Sequence, residues 1–192
     1  MALVYLCRHG ETQWSKSGQH TGLTDLELTA GGKKQASALG KRLHGISFSK
    51  VLISPLQRAK ETARLANLHG EIEPDLVEWN YGEYEGLTTK EIHQKDPTWN
   101  IFTHGGPQGE SIADIKVRAL RLIKKIKTIE GTVCLVSSGH ISRAIGALWL
   151  GEEVSFGRYL VLSTASISKL GFEHENPAIL GWNDTSHLDL KV

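Results

Sequence analysis

Short apolar runs alternate with helical patterns along the 192-residue chain, and this alternation constrains the fold more than any other feature. Apolar runs without polar alternation predict strands that are covered on both faces. Apolar residues at helical spacing between these runs predict the helices that cover them. The sequence therefore predicts a single domain over residues 1–192, a three-layer α/β/α structure around a central, mostly parallel sheet.

The predicted elements can be placed along the chain. Strands are predicted over 2–7, 50–53, 132–136, 164–172 and 178–182, and helices over 29–43, 54–68, 112–129 and 139–150. In the second helix, Pro55 is predicted at the first helical position, which tolerates a residue without an N–H. Residues 72–106 are less periodic and richer in Trp, Tyr, Gly and Pro. This segment predicts a short lid insertion, about 72–108, folded over the sheet.

Charge and composition exclude several partners. The chain has 22 Lys and Arg against 21 Asp and Glu, so no overall field would attract nucleic acid or an anionic membrane. No apolar run approaches the roughly 18 residues of a membrane span, and the N-terminal pattern is not that of a signal peptide. Cys7 and Cys134 lie in apolar runs, as buried free thiols do. We therefore expect a cytoplasmic protein, and its oligomeric state stays open.

The first chemical signal stands at the end of a predicted strand. Residues 2–7 lead directly into Arg8-His9-Gly10, at the sheet edge where open parallel sheets bind ligands. A nucleophilic imidazole beside a permanent cation and free backbone amides suits phosphate. Arg58 lies near the start of a helix that follows a strand, where the helix end and the guanidinium both favour phosphoryl oxygens. Taken alone, either arginine could also decorate a solvated surface.

Four motifs in order resemble the histidine phosphatase superfamily, which has the phosphoglycerate mutase-like fold. The motifs are Arg8-His9-Gly10-Glu11-Thr12, then Leu28-Thr29 with Gly31 or Gly32, then residues 54–63, and finally residues 76–82 with Glu85-Gly86-Leu87. The resemblance covers nearly the whole chain in the order that the superfamily uses. It implies phosphate chemistry that proceeds through a phosphohistidine.

The resemblance implies a role for each matching residue. His9 would attack phosphorus in line and hold it as a phosphoramidate, while Arg8 and Arg58 would neutralise the equatorial oxygens. Glu78 matches the general acid and base, which protonates the leaving oxygen and then activates water. Three further carboxylates compete for that role: Glu83, which ranks second, Glu11 and Glu85.

The sequence departs from the superfamily at its second active-site histidine. Matching through Arg143 aligns Ser138-Gly139 with that position, so Ser138 replaces the histidine, and His140 follows two residues later. A serine hydroxyl can donate one hydrogen bond to a phosphoryl oxygen, but it cannot carry positive charge. A slower enzyme, a role for His140, and a phospho-ligand-binding pseudo-enzyme therefore remain open.

The segment 14–25 resembles the substrate loop of the superfamily. Ser15, Thr21 and Gly22 match positions that contact the phosphate or the rest of the substrate. The amino-acid sequence of this loop resembles that of superfamily members that act on sugar phosphates and bisphosphates. A small phosphorylated metabolite, in the first place a sugar phosphate, is therefore the expected substrate.

Hydrolysis is favoured over phosphoryl transfer between positions of a metabolite. Phosphoglycerate mutases carry a longer insertion with a lysine and paired arginines, whereas residues 86–109 contain Lys90 and Lys95 but no Arg-Arg pair. A 2,3-bisphosphoglycerate-dependent phosphoglycerate mutase is the alternative. The remaining histidines show no ligand spacing, so neither a metal nor a cofactor is expected.

Overall fold

The strands form one six-stranded sheet in the computed structural model, which describes residues 2–188. Their bounds are β1 Leu3–Arg8, β2 Lys50–Ile53, β3 Glu71–Ile72, β4 Thr132–Ser137, β5 Ile167–Glu173 and β6 Asn176–Asp184. The sheet order is β3-β2-β4-β1-β5-β6. Neighbours from β3 to β1 pair in parallel, whereas β5 and β6 are antiparallel additions at one edge. The predicted mostly parallel sheet is confirmed.

Helices cover both faces of this sheet. Their bounds are α1 Gln13–Ser17, α2 Ala30–Leu43, α3 Gln57–Leu65, α4 Thr89–His93, α5 Ile101–His104, α6 Ile112–Lys127 and α7 Gly139–Trp149. Alternate β1 side chains enter different cores: Leu6 packs with α6 and α7, and Cys7 packs with α2 and α3. The predicted three-layer α/β/α architecture is therefore confirmed. Within residues 2–188, no helix has both the length and the apolar character needed to cross a membrane.

The start of α3 differs from the prediction. Leu56 is extended, with φ −72° and ψ 142°, so the helix begins at Gln57 and Pro55 lies outside it. The first helical N–H, that of Gln57, donates to the Asp25 carboxylate at 2.6 Å. A side chain distant in sequence thus caps the helix in place of a local one. As a consequence, Arg58 sits in the first turn of α3, directly beyond β2.

The predicted lid segment packs into the same core as the sheet. Trp79, Trp99 and Phe102 are buried in one cluster with residues of β1 and β4. Trp79 and Phe102 meet edge to face, with ring centroids 5.6 Å apart. The segment contains α4 and α5 and lies beside the carboxyl ends of the strands. The role of this segment as a lid stays a prediction.

Candidate active site

A cavity of about 130 Å³ opens beyond the carboxyl ends of β1 and β4. Seven of the predicted site residues line it: Arg8, His9, Ser15, Thr21, Glu78, Gly139 and His140. The other predicted site residues, Arg58, Gly22 and Ser138, are buried and lie outside this lining. Five lining residues were not predicted for the site: Gln19, His20, Tyr81, Arg143 and Leu162.

His9 is held as a neutral imidazole with one free nitrogen. Its side chain is buried, and Nδ1 lies 2.7 Å from the carbonyl oxygen of Gly10. Since a carbonyl only accepts, the proton must be on Nδ1, and Nε2 is left with its lone pair. Burial, and after it the charges of Arg58 and Arg8, hold the pKa of His9 well below 6.5. The free Nε2 is therefore a nucleophile at neutral pH.

Arg58 binds the backbone of the 21–24 loop beside the cavity. Its Nη1 donates to the carbonyl oxygen of Thr24 at 3.0 Å, and its Nη2 donates to that of Gly22 at 2.9 Å. The Glu85 carboxylate binds the other side of the same loop, accepting from the N–H groups of Gly22 at 2.9 Å and Thr24 at 3.0 Å. Gly22 thus binds Arg58 through its carbonyl oxygen and Glu85 through its N–H. A side chain there would collide, since a Cβ would lie 2.5 Å from the Glu85 carboxylate.

Three buried polar atoms near His9 have no hydrogen-bond partner among residues 2–188. They are the Nε atoms of Arg8 and Arg58 and the Oγ of Ser138. Buried donors are rarely left unpaired, because each loses its hydration without compensation. A Cβ on Gly139 would lie 3.3 Å from the Arg8 Nε, so this glycine lets the guanidinium approach the start of α7. The unpaired donors suit an anion beside His9.

Glu78 is fixed at the start of α7. Its Oε1 accepts from the N–H groups of Trp79 at 2.9 Å and Ile141 at 2.8 Å, and its Oε2 accepts from the N–H of His140 at 2.9 Å. Three backbone N–H groups thus hold the two oxygens of this side chain, two of them in the first turn of α7. Although only 3% exposed, Glu78 contributes to the cavity wall.

The carboxylates that competed with Glu78 have other partners. Glu83 accepts from the side-chain amide of Gln108 at 2.7 Å, and Glu11 accepts from the Thr29 hydroxyl at 2.6 Å. Glu85 binds the 21–24 loop. Among the residues that the structure describes, Glu78 is the carboxylate that lines the cavity.

One wall of the cavity consists of aromatic rings and histidines. The Tyr81 hydroxyl is hydrogen-bonded to Nδ1 of His140. Burial lowers the pKa of His140 well below 6.5 and raises that of Tyr81 well above 10, so the hydroxyl is the donor. Burial also lowers the pKa of His20 to about 4, and its ring lies 4.9 Å from that of Tyr81. This wall is uncharged at neutral pH except for Arg143.

Fold and cavity together define a three-layer α/β protein with a buried, neutral histidine beside two arginines at the sheet edge. The family model described as the histidine phosphatase superfamily, branch 1, matches residues 4–185. The chain belongs to this superfamily.

Relatives and a solved structure agree with this assignment. The chain is 42% identical to an acid phosphatase of Mycobacterium tuberculosis, over 93% of this chain and 91% of that protein. It is 34% identical to sedoheptulose 1,7-bisphosphatase of Saccharomyces cerevisiae, over 76% of this chain and 66% of that protein. A protein of Enterobacter sp. named "Probable phosphoglycerate mutase GpmB" is 31% identical, over 98% and 96%.

The solved structure is that of an open reading frame from Mycobacterium tuberculosis. It superposes with a TM-score of 0.89 at 39% identity, covering 95% of this chain and 97% of that one. Together with the family match, the phosphatase relatives confirm the predicted class, a phosphoric monoester hydrolase.

Proposed function

We propose that this enzyme hydrolyses small phosphorylated metabolites, sugar phosphates above all, through a phosphohistidine formed on His9. One observation carries the proposal: a buried, neutral His9 with a free Nε2 lies beside the unpaired guanidinium N–H groups of Arg8 and Arg58. This arrangement pairs a nucleophile with fixed positive charge, which phosphoryl transfer requires.

The reaction has two displacements on phosphorus. In the first, Nε2 of His9 forms a bond to phosphorus, the ester P–O bond breaks, and Glu78 gives a proton to the leaving oxygen. In the second, Glu78 takes a proton from water, the water oxygen attacks phosphorus, and the P–N bond breaks. Arg8 and Arg58 stabilise the equatorial oxygens in both transition states.

Ser138 offers the phosphoryl group a neutral hydrogen-bond donor where the superfamily has a histidine. Removing one donor that acts in a transition state costs on the order of 10²–10³ in rate. The backbone N–H of His140 binds Glu78 and its Nδ1 binds the Tyr81 hydroxyl, so Nε2 is the atom through which His140 would contact the phosphoryl group if it took the place of the missing histidine. Slow turnover is the consequence that we propose.

The proposed substrates are small molecules. A cavity of about 130 Å³ suits a phosphoryl group with the first atoms of its alcohol, and the rest of the substrate would extend past Gln19 and His20. The resemblance to sedoheptulose 1,7-bisphosphatase supports a sugar phosphate. With a net charge of +1, the chain offers no general attraction to nucleic acid or membranes. Two free, buried cysteines fit the cytoplasm that we propose as its compartment.

A substrate panel tests the proposal. Wild type and His9→Ala are incubated with sugar monophosphates, sugar bisphosphates, an aryl phosphate and 3-phosphoglycerate, and both inorganic phosphate and 2-phosphoglycerate are measured. We expect the wild type to release phosphate. In His9→Ala, which lacks the nucleophile, the rate of release should fall by on the order of 10³-fold or more. Equal release by both proteins would refute the proposal. Conversion of 3-phosphoglycerate to 2-phosphoglycerate without phosphate release would instead establish the mutase.

A further inference from the structure

An ion pair outside the cavity, formed by the buried Arg118 and the partly buried Glu110, holds the chain on both sides of Glu78. Arg118 of α6 is 9% exposed and binds the Glu110 carboxylate in a bidentate manner. Nε donates to Oε1 at 2.7 Å and Nη2 donates to Oε2 at 2.9 Å. Such a two-pronged pair has little orientational freedom.

Arg118 binds the chain that enters Glu78. Its Nη1 donates to the carbonyl oxygens of Asp75 and Val77, each at 2.8 Å, and its Nη2 lies 3.3 Å from that of Glu78 itself. One guanidinium thereby fixes three backbone carbonyls within four residues.

Glu110 binds the chain that leaves Glu78. Its Oε2 accepts from the N–H of Asn80 at 2.9 Å, and its own N–H donates to the carbonyl oxygen of Asn80 at 2.9 Å. The Trp79 indole N–H donates to the backbone carbonyl of Glu110, also at 2.9 Å. The two residues after Glu78 are thus anchored to the residue that pairs with Arg118.

No strand or helix holds the backbone around Glu78 in place. Residues 77–81 belong to no strand or helix, and the preceding 3-10 turn ends at Leu76. Side chains of the ion pair therefore satisfy backbone groups that a sheet would otherwise satisfy. The side chain of Glu78 then reaches the first turn of α7 from a fixed backbone.

We propose that Arg118 and Glu110 are positioning residues that set the Glu78 carboxylate against the leaving oxygen of the substrate. The inference rests on the proposed function, in which Glu78 is the general acid. Displacement of a catalytic group by about 1 Å can cost on the order of 10² in rate. Breaking the pair should therefore impair proton donation and leave the attack by His9 intact.

The leaving group reveals this difference. An alkyl or sugar phosphate needs a proton on its leaving oxygen, whereas 2,4-dinitrophenyl phosphate departs without one. We would measure the single-turnover rate of His9 phosphorylation with both esters, in Arg118→Lys and Glu110→Gln. We expect a loss of roughly 10²-fold with the sugar phosphate and less than about 3-fold with the dinitrophenyl ester.

Lys116→Gln is the matched control. It removes another ion pair from α6, the exposed one with Glu153, and should leave both rates unchanged. Because a partly buried pair is broken, thermal unfolding of each variant must show that the protein is folded at the assay temperature. If Arg118→Lys does not fold, Glu110→Gln, which keeps the size of the side chain, decides the matter.

Glu78→Gln separates the two ways in which the idea could fail. If Glu78→Gln lowers both rates equally, Glu78 is not the general acid, and that part of the proposed function fails. If Glu78→Gln affects the sugar phosphate selectively but the folded pair variants lower both rates equally, or neither, the positioning role alone is overturned.

Discussion

Nδ1 of His9 lies 2.7 Å from the carbonyl oxygen of Gly10, and this contact selects the nitrogen that can attack phosphorus. The carbonyl keeps a proton on Nδ1, so Nε2 has the lone pair. The Gly10 N–H is itself fixed, since it donates to the Thr62 hydroxyl at 3.0 Å, and this hydroxyl donates to the Arg58 carbonyl at 2.7 Å. The orientation of the His9 ring is thereby tied to the helix that carries Arg58.

The pH dependence of His9 phosphorylation follows from its surroundings. Because burial and the charges of Arg58 and Arg8 lower the pKa of His9 well below 6.5, the imidazole stays unprotonated in mildly acidic solution. With 2,4-dinitrophenyl phosphate, which needs no general acid, we expect the single-turnover rate to remain on its plateau at pH 6.5. A rate that has fallen by half at pH 6.5 would contradict this assignment.

Stability should depend on pH through His20. The folded protein keeps His20 neutral until about pH 4, whereas the unfolded chain protonates it near pH 6.5. Between these values the unfolded state binds the extra proton, so stability is lost as the pH falls. For His20→Gln, the free energy of unfolding measured with urea should change less steeply with pH over this range. The difference in slope should correspond to up to about one bound proton. An unchanged slope would refute the burial effect.

Replacement of Ser138 tests the departure from the superfamily. Restoring a cationic donor in Ser138→His should raise turnover by roughly 10²-fold. Since Ser138 is fully buried, the larger ring should also destabilise the fold by about 1–3 kcal/mol. Ser138→Ala, which removes the donor that this position offers to the transition state, should lose on the order of 10²-fold. Equal turnover in all three proteins, measured with a sugar phosphate, would show that this position does not contact the phosphoryl group.

Glu85 should act through Arg58. In Glu85→Gln the loop that carries the Gly22 and Thr24 carbonyls loses its charged acceptor, at a cost of about 1–2 kcal/mol. We expect kcat/KM to fall about 10-fold, because Arg58 is less firmly held. Glu83→Gln is the control, since Glu83 binds the Gln108 side chain at the surface. Similar losses in both variants would argue against this route.

Contiguous motifs explain what could be predicted. Arg8 ends a buried strand and His9 follows it directly, so the end of β1 places both at the ligand-binding edge of the sheet whatever the rest of the chain does. The cap of α2 is equally local, because the Thr29 hydroxyl accepts from the N–H of Gly32 at 2.9 Å. Both features depend on a few neighbouring residues.

Contacts between residues that are distant in sequence account for the features that could not be predicted. The start of α3 depends on Asp25, which lies 32 residues before Gln57, and no periodicity encodes such a cap. His20 and Tyr81 meet in the cavity wall because the substrate loop packs against the lid segment. Their proximity follows from tertiary packing, although the place of His20 within the 14–25 loop was a signal that could have indicated it.

The central claim is that His9 carries the phosphoryl group during turnover. Wild-type protein is mixed with a sugar phosphate or 2,4-dinitrophenyl phosphate, quenched in base within one turnover, digested and analysed by mass spectrometry. We predict a base-stable, acid-labile phosphoryl group on the peptide that contains His9, absent from His9→Ala and formed at the rate of the first turnover. Turnover by the wild type without a phosphoryl group on His9, or with one on another residue, would contradict the account.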